Sequence, residues 1–370
     1  MKALVTGGAG LIGSHITDLL LQKGYDVKII DNLEEETHPN GKPAWIPKEV
    51  EFIHGNTSDE TAMLKALQGV DVVFHQAAYG GFALDQNKYV LSNTLGTTNM
   101  YSLIKKHHLP IKKIVYASSQ AVYGEGKYYC SEHGVQEPGF RTLHQFHKEQ
   151  WEVECPLCDH PLVPLPTDEN KKLYPATMYA VTKYSQELIA QALGKSLGIP
   201  IVGLRYSVVY GPRQSLFNPY TGICSIFSTM ILNDIPPTVY EDGKQTRDFV
   251  FVEDVAKANV FVMEQEVAND HIFNVGTGKQ TNVLDFIKHL SDAYDKPTTY
   301  NLTKEFRPGD VRHLYSDNRK LKKLGFTPQV DVKDGIKKYA TWIQTQGKIE
   351  EYFSKHKTKM EQMGIVRKKQ

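Results

Sequence analysis

A glycine-rich segment near the start constrains the fold more than any other feature of this 370-residue chain. Residues 2–6 have the apolar character of a buried strand, and residues 11–23 have apolar side chains at a helical spacing. Between them, residues 6–13 read TGGAGLIG. Glycines between a strand and a helix allow a tight turn, let the backbone approach a pyrophosphate and leave the helix N-terminus free to bind phosphate. The segment therefore predicts a dinucleotide site at the first strand of a parallel sheet.

An acidic residue at the end of the second predicted strand supports this interpretation. Asp31 follows the glycines by about twenty residues, as the dinucleotide motif requires. Its carboxylate could accept hydrogen bonds from both hydroxyls of an adenine ribose and would repel a 2′-phosphate, which favours NAD over NADP. The alternative is a structural turn followed by a surface aspartate.

The order of the predicted elements indicates the fold class. Further strands are predicted at 26–30, 50–54, 71–74, 113–117 and 199–206, and further helices at 59–67, 88–108 and 178–197. This alternation predicts an α/β protein with a Rossmann-type, doubly wound parallel sheet. Beyond residue 206 the prolines mark loops, and we expect a smaller C-terminal α/β substrate domain over the carboxyl ends of the strands.

The predicted domain boundaries follow from this change of pattern. We assign residues 1–206 to the dinucleotide-binding domain, with 246–266 returning to it and 125–174 inserted in it. Residues 207–245 and 267–346 form the substrate domain. The tail, 347–370, is lysine-rich and weakly patterned, so we predict a frayed helix there and assign it no role.

Composition excludes several classes of function. The 43 basic and 42 acidic residues nearly cancel, which argues against nucleic-acid binding and against docking on an anionic membrane. No apolar run reaches the roughly 18 residues that a membrane span needs. The first strand runs directly into Gly7, so we expect a cytoplasmic protein.

A possible catalytic group lies in the second half of the predicted sheet. Tyr179 and Lys183 are four residues apart and would share one helix face, and Ser118 and Ser119 follow the strand at 113–117. A phenol has a pKa of about 10, and a nearby ammonium group would lower it. These residues form a plausible acid/base unit. The alternative is that Tyr179 caps a core helix and Lys183 is solvated.

Together these motifs resemble the extended short-chain dehydrogenase/reductase family, which includes NAD-dependent nucleotide-sugar epimerases and dehydratases. The segments that carry the resemblance are TGGAGLIG at 6–13, YASSQAVYG at 116–124, YAVTK at 179–183, LRYSVVYGPRQ at 204–214 and TRDFVFVEDVA at 246–256. The resemblance implies that Ser119, Tyr179 and Lys183 are catalytic. It also implies a homodimer, formed through the helices predicted at 88–108 and 178–197.

The motifs and the resemblance together assign two sets of binding residues. The expected cofactor contacts are Gly7, Gly10, Leu11, Ile12, Gly13, Asp31, Asn32, Asn56, Thr57, Gln76, Ala77, Ala78, Asn93, Tyr179, Lys183 and Tyr206. The expected substrate contacts are Ser119, Gln120, Asn218, Tyr240, Arg247 and Arg307. The two arginines would hold the substrate diphosphate, and Tyr240 would stack on the nucleotide base.

The residue after the implied catalytic serine bears on the reaction. Dehydratases of this family carry an Asp-Glu pair there, whereas this chain has Gln120-Ala121. The resemblance therefore implies a nucleotide-sugar 4-epimerase that acts through a transient 4-keto sugar. Alternatives are a 4-epimerase of UDP-glucose, UDP-glucuronate or a UDP-N-acetylhexosamine, a net dehydratase or reductase, and a non-catalytic NAD-binding protein.

The insert holds a possible metal site. A C-x-x-H pair, Cys130 and His133, precedes a C-x-x-C pair, Cys155 and Cys158, by about twenty residues, which is a spacing typical of a tetrahedral structural zinc. His160 is a rival fourth ligand, and two unrelated cysteine pairs are the alternative. Together with GPRQSLFNPYTG at 211–222, the insert resembles the bacterial dTDP-L-rhamnose 4-epimerase group, which implies dTDP-L-rhamnose and dTDP-6-deoxy-L-talose as substrates. The remaining cysteine, Cys224, is predicted to lie in the core of an apolar helix.

Overall fold

The computed structural model describes residues 1–80, 85–218 and 222–368. The strands are β1 Lys2–Thr6, β2 Asp26–Asp31, β3 Glu51–His54, β4 Val72–His75, β5 Lys113–Ser119, β6 Lys127–Cys130, β7 Gly134–Gln136, β8 Val163–Leu165, β9 Ile201–Tyr206, β10 Val208–Tyr210, β11 Thr238–Val239, β12 Thr246–Arg247, β13 Phe249–Phe251, β14 His271–Val275, β15 Thr281–Asn282, β16 Asn301–Leu302 and β17 His313–Leu314. The α-helices are α1 Leu11–Gln22, α2 Glu60–Leu67, α3 Gln86–Tyr89, α4 Gly96–Lys106, α5 Leu143–His147, α6 Met178–Leu197, α7 Ile223–Leu232, α8 Val252–Glu264, α9 Val283–Ala293, α10 Arg319–Lys323, α11 Val332–Gln344 and α12 Phe353–Gln362.

A seven-stranded parallel sheet forms the centre of the molecule. Its strand order is β14-β9-β5-β4-β1-β2-β3, and every neighbouring pair is parallel. Alternate side chains of β1 enter different cores: Ala3 and Val5 pack with α1 and α8, whereas Leu4 packs with α2, α4 and α6. Helices therefore cover both faces, and the predicted Rossmann-type fold is confirmed.

One strand and one helix differ from the prediction. Strand β14 pairs with β9 from His271 to Val275, so the segment returning to the large sheet extends beyond the predicted residue 266. The helix predicted at 88–108 is interrupted by a π-helical stretch, Val90–Leu95, between α3 and α4. A π-helical turn takes an extra residue and shifts the register of the side chains that follow it.

The second half of the chain builds a smaller layer beside the sheet. Helices α7, α9 and α11 pack around β10 and β13 in one apolar cluster. Cys224 lies buried in α7, as predicted. Short strands complete this layer, including β12, which pairs with both β15 and β17.

The insert has its own small three-stranded sheet, in the order β7-β6-β8. Its apolar core comprises few side chains: Tyr128, Cys130, Val153, Cys155 and Leu162, with Cys158 packed against them. So small a core supplies little stabilisation by burial alone.

The predicted helix of the C-terminal tail packs against the rest of the chain. It forms α12, and the tail buries the side chains of Phe353, Met360 and Val366. These three residues join an apolar cluster with side chains from distant parts of the chain. No helix among the described residues is long and apolar enough to cross a membrane.

Candidate active site

A cavity of about 300 Å³ opens at the carboxyl ends of β1, β2, β4 and β5. Of the predicted cofactor residues, those that line it are Gly7, Gly10, Leu11, Ile12, Gly13, Asp31, Asn32, Asn56, Thr57, Gln76, Ala77, Ala78, Tyr179, Lys183 and Tyr206. We refer to it as the first cavity. Residues distributed over two hundred positions of sequence thus meet in one pocket at the edge of the sheet where ligands bind in such folds.

The glycine-rich turn has the shape of a ligand cradle. Gly7 has a φ of +66°, and a Cβ there would lie 2.8 Å from the backbone nitrogen of Ala77. A Cβ on Gly13 would lie 2.2 Å from the Gly7 carbonyl oxygen. Larger residues at either position would displace the turn from the start of α1. Only glycine therefore keeps the turn this close to the helix N-terminus, where free N–H groups favour phosphate.

Asp31 is the last residue of β2 and lines the first cavity. Its carboxylate accepts hydrogen bonds from the backbone nitrogens of Ala9 and Leu33, both at 2.9 Å. Two N–H donors leave further lone pairs on the carboxylate oxygens. The fixed, buried acid therefore fits the two hydroxyls of a ribose, and the residues of the first cavity fit NAD.

Lys183 and Tyr179 lie at the inner end of the same cavity. The Lys183 ammonium donates a hydrogen bond to the Ala117 carbonyl oxygen at 2.9 Å and lies 6.0 Å from the centre of the Tyr179 ring. Burial lowers the pKa of Lys183 to about 7, although the nearby Glu187 carboxylate opposes this shift. Burial therefore favours the neutral amine of Lys183 more than it would be favoured in an exposed lysine.

The pKa of Tyr179 corrects the expectation from sequence. Burial raises the pKa of this phenol, and a hydrogen bond with the Ser119 side chain partly offsets the increase. We predicted that Lys183 would lower the pKa, but in the protein alone desolvation of the buried phenolate is the stronger effect. Tyr179 is therefore protonated in the resting site, and a cationic ligand in the first cavity would favour its ionisation.

A buried ion pair fixes the elements that carry these groups. Arg205, on β9, donates to both oxygens of Glu187, on α6, at 2.8 Å each. Ser118 also donates to the Glu187 carboxylate, at 2.5 Å. Because Glu187 lies one turn beyond Lys183, the pair ties the face of α6 that carries Tyr179 and Lys183 to the central sheet.

A second cavity, of about 440 Å³, adjoins the first one at Tyr179. It is lined by five of the six predicted substrate residues, namely Ser119, Gln120, Tyr240, Arg247 and Arg307. Tyr179 lines both cavities. The phenol therefore lies at the junction between a cradle suited to a dinucleotide and a separate pocket.

Two half-buried guanidinium groups line the second cavity. The Arg307 guanidinium bonds the Asp310 carboxylate at 2.8 Å and lies 5.3 Å from the centre of the Tyr240 ring. Arg247 donates to the carbonyl oxygens of Val311, at 2.6 Å, and Arg312, at 3.2 Å. Burial lowers the pKa of Arg247. An anionic ligand would compensate this cost, so the pocket is suited to a diphosphate lying beside an aromatic ring.

Comparison with known proteins identifies the family. The sequence model of the NAD dependent epimerase/dehydratase family matches residues 3–144 and 159–276, which is more than half of the chain. The chain belongs to this family.

Relatives and solved structures agree with this assignment. A dTDP-L-rhamnose 4-epimerase from Burkholderia thailandensis is 33% identical over 350 residues, spanning 92% of this chain and 94% of that protein. A putative UDP-glucose 4-epimerase from Methanocaldococcus jannaschii is 36% identical over 358 residues, spanning 93% and 99%. The solved UDP-glucuronic acid 4-epimerase from Bacillus cereus, in complex with UDP-glucuronic acid and NAD, has a TM-score of 0.76 at 29% identity and covers 93% of this chain and 99% of that one.

Two predicted binding residues of this family member lie outside the two cavities. Asn93 is buried in the π-helical stretch, where its side chain bonds both the backbone nitrogen and the carbonyl oxygen of Tyr79, at 2.8 and 3.0 Å. It therefore positions the loop that lines the first cavity, whereas a direct cofactor contact was predicted. Asn218 lines neither cavity, and its backbone nitrogen donates to Ser215 at 3.3 Å.

Other residues of the site were not predicted from the sequence. Thr37, His38 and Tyr79 also line the first cavity, and Trp45 supports the glycine-rich turn through a 3.0 Å hydrogen bond to the Ala9 carbonyl oxygen. In the second cavity, Gln245 has a buried side-chain oxygen with no hydrogen-bond partner among the described residues. No motif marks these positions, because they reach the site only through loops.

The insert brings its four predicted ligands together. Cys130 Sγ lies 3.6 Å from His133 Nδ1 and 3.7 Å from Cys158 Sγ, and Cys155 Sγ lies 3.7 Å from His133 Nδ1. The four ligand atoms all lie within 4.8 Å of one another, and the cysteines are free thiols. His160 instead pairs with Glu132 at 3.0 Å, although these two and Cys158 form a second, more exposed group.

Proposed function

We propose that this chain is an NAD-dependent nucleotide-sugar 4-epimerase. The observation that carries the proposal is the position of Tyr179, which lines both the dinucleotide cradle and the arginine-containing cavity. A single phenol at that junction reaches a sugar in one pocket while facing a nicotinamide in the other. The Bacillus cereus relative holds UDP-glucuronic acid and NAD together, which supports the same division of the site here.

The residues of the chain suggest how the proton moves. NAD, held by the glycine-rich turn and Asp31, would supply the hydride acceptor and donor. Loss of the Tyr179 proton to solvent would be favoured by the positive charge of bound NAD. Ser119 would hold the C4 oxygen of the sugar, and the Tyr179 phenolate would take the proton from the C4 hydroxyl as the C4 hydrogen leaves as hydride. The resulting 4-keto sugar would turn over in the second cavity. Hydride would then return to the opposite face while Tyr179 gives the proton back.

The side chain beside Ser119 favours epimerisation over elimination. Gln120 lines the second cavity, and its buried carbonyl oxygen has no hydrogen-bond partner among the described residues. A neutral amide can bind a sugar hydroxyl, but it cannot serve as the carboxylate base that removal of water from a keto sugar requires.

The proposed substrate is dTDP-L-rhamnose, interconverted with dTDP-6-deoxy-L-talose. The 33% identity with the Burkholderia enzyme over nearly the whole of both chains supports this choice. UDP-glucose is the second candidate, because the archaeal relative is 36% identical. The test is to incubate purified protein, without added NAD, with dTDP-L-rhamnose, UDP-glucose and UDP-glucuronate, and to follow each sugar by NMR. We expect inversion at C4 of the rhamnose. Conversion only in a parallel incubation with added NAD or NADH, with stoichiometric consumption of that cofactor, would contradict epimerisation.

We infer that the insert binds one structural Zn²⁺ through Cys130, His133, Cys155 and Cys158. Bonds of about 2.3 Å to sulfur and about 2.0 Å to nitrogen in a tetrahedral zinc site place neighbouring ligand atoms about 3.5–3.8 Å apart. The three separations measured in the insert, 3.6, 3.7 and 3.7 Å, fall in that range. Four protein ligands would leave no open position, so the role is structural.

We also infer a homodimer. The α3–α4 segment and α6 pack side by side, and they expose Val90, Leu91, Leu95, Val181 and Leu188. Exposed apolar side chains on neighbouring helices are typical of a helical interface, and a second copy would bury them by pairing helix with helix. Light scattering should give twice the chain mass of 41.8 kDa; a mass of one chain at micromolar concentration would contradict the dimer.

A further inference from the structure

We propose that the C-terminal segment, residues 349–368, forms part of the substrate cavity and makes the enzyme selective for a sugar with an apolar substituent at C5. This inference rests on the proposed epimerase function and deepens it. Its basis is the position of two side chains, Phe353 and Met360, which line the second cavity although they lie near the end of the chain.

The segment shares an apolar cluster with Tyr179. Phe353 and Met360 are 8% and 2% exposed and share one apolar cluster with Tyr179 and Tyr240. Ile226, from α7, completes this side of the cavity. The cluster therefore runs from the catalytic phenol to the ring predicted to stack on the base. Ile226, Phe353 and Met360 contribute no hydrogen-bonding groups to this side of the cavity.

The segment is also tied to the arginine that faces the cavity. Phe306 and Arg367 form an antiparallel bridge, with hydrogen bonds of 3.0 and 2.9 Å between their backbones. Lys357 lies 2.7 Å from the buried carboxylate of Glu305. These anchors are directly before Arg307 in sequence, so the segment and the arginine form one wall. The segment is thereby held in place and does not rest loosely on the surface.

The chemistry of this wall discriminates between sugars. C5 is bonded to C4, so a substituent on C5 lies close to Tyr179 whenever C4 is in position to react. A methyl group is well accommodated among Ile226, Phe353 and Met360, whereas a hydroxymethyl or carboxylate group would lose its hydrogen bonds to water there. One such change in a pocket is worth about 10–200-fold in kcat/KM. The wall therefore fits a 6-deoxyhexose.

The experiment compares two sugars that differ only at C6, dTDP-L-mannose and dTDP-L-rhamnose, in two variants of the segment. Met360→Gln places an amide of similar length in the cavity wall. Met363→Gln makes the same change three residues away, on a side chain that is 53% exposed. We expect the unchanged protein to prefer the 6-deoxy sugar in kcat/KM by at least about 10-fold. Met360→Gln should reduce that preference about 10-fold, mainly through KM, and Met363→Gln should leave it unchanged. Both variants should retain bound NAD. Met363→Gln should keep the unfolding temperature of the parent, whereas Met360→Gln should remain folded with a lower unfolding temperature, because it buries an amide.

Each result has a defined meaning. Equal kcat/KM for the two sugars in the parent, or an unchanged preference in Met360→Gln, would overturn the inference. If the parent converts neither sugar but inverts C4 of another nucleotide sugar, the same two variants are compared on that sugar and its C6 analogue. If no nucleotide sugar is converted, the proposed function fails, and calorimetry with dTDP-L-rhamnose decides the inference separately. Binding weakened at least about 5-fold by Met360→Gln alone would support it, and equal binding by all three proteins would overturn it.

Discussion

Replacement of Tyr179 by phenylalanine should lower kcat for C4 inversion by about 10²–10⁴-fold, the range typical for loss of a positioned acid/base. The ring should keep its place in the cluster that includes Tyr89 and Met360, so substrate KM and bound NAD should change little. The measurement is steady-state inversion of the best nucleotide sugar, with bound cofactor determined by absorbance after denaturation.

Tyr184→Phe provides a matched control for this result. Tyr184 lies on the same helix, α6, but lines neither cavity. The same loss of a hydroxyl should therefore leave kcat within about 2-fold of the parent, as is usual for positions away from the chemistry. If Tyr179→Phe retained full turnover, or if both variants lost activity equally, Tyr179 would not be the acid/base.

Removal of the metal from the insert is the second change with a large expected effect. We expect protein purified without added zinc to hold about one Zn²⁺ per chain, and the double variant Cys155→Ser/Cys158→Ser to hold almost none. Structural zinc supplies about 10 kcal/mol or more to small peptide folds, and the apolar core of the insert is too small to replace it. The free energy of unfolding of the insert should therefore fall by several kcal/mol, measured as protease sensitivity within 125–174.

The loss of zinc should also reach the substrate site. Arg141, in the insert, donates to both oxygens of the buried Glu241 at 2.8 and 2.9 Å and to the Asp310 carbonyl oxygen at 2.9 Å. Asp310 in turn holds Arg307. Displacement of Arg141 leaves Glu241 without one of its two arginine partners in a buried position, which is costly. We therefore expect KM for the nucleotide sugar to rise at least about 10-fold while bound NAD is retained.

Cys224→Ser is the control for the metal experiment. It removes one thiol from the chain but lies in α7, outside the cluster of four ligands. Its zinc content should equal that of the parent, even if the buried hydroxyl lowers the unfolding temperature. A metal-free parent with a protease-resistant insert would contradict the zinc proposal.

Much of the cofactor pocket could be predicted because its residues are set by local rules. The glycines of TGGAGLIG, Asp31 and the Tyr179–Lys183 pair each depend on a strand, a turn or one helix face, and those periodicities are visible in a single sequence. Their meeting point follows from the parallel sheet, since the carboxyl ends of its strands share one edge.

The features that could not be predicted depend on contacts between distant segments. In α12 the apolar residues Phe353 and Met360 are sparse among lysines, so the helix shows a core face only once Tyr79, Met230 and Tyr240 are packed against it. Asn93 was assigned to the cofactor from the resemblance, and nothing in the sequence signals the π-helical stretch in which its side chain bonds the Tyr79 backbone. The raised pKa of Tyr179 depends on burial, which spacing alone does not reveal.

The central claim is that the hydrogen removed from C4 returns to C4 of the same sugar, with Tyr179 moving the proton. The most direct measurement uses dTDP-L-rhamnose carrying deuterium at C4, incubated in ordinary water without added NAD or NADH, with the product examined by NMR and mass spectrometry. We predict that the inverted sugar keeps the deuterium at C4 and takes up no solvent hydrogen at carbon. Inverted product with hydrogen at C4 would show exchange with solvent and would contradict the account.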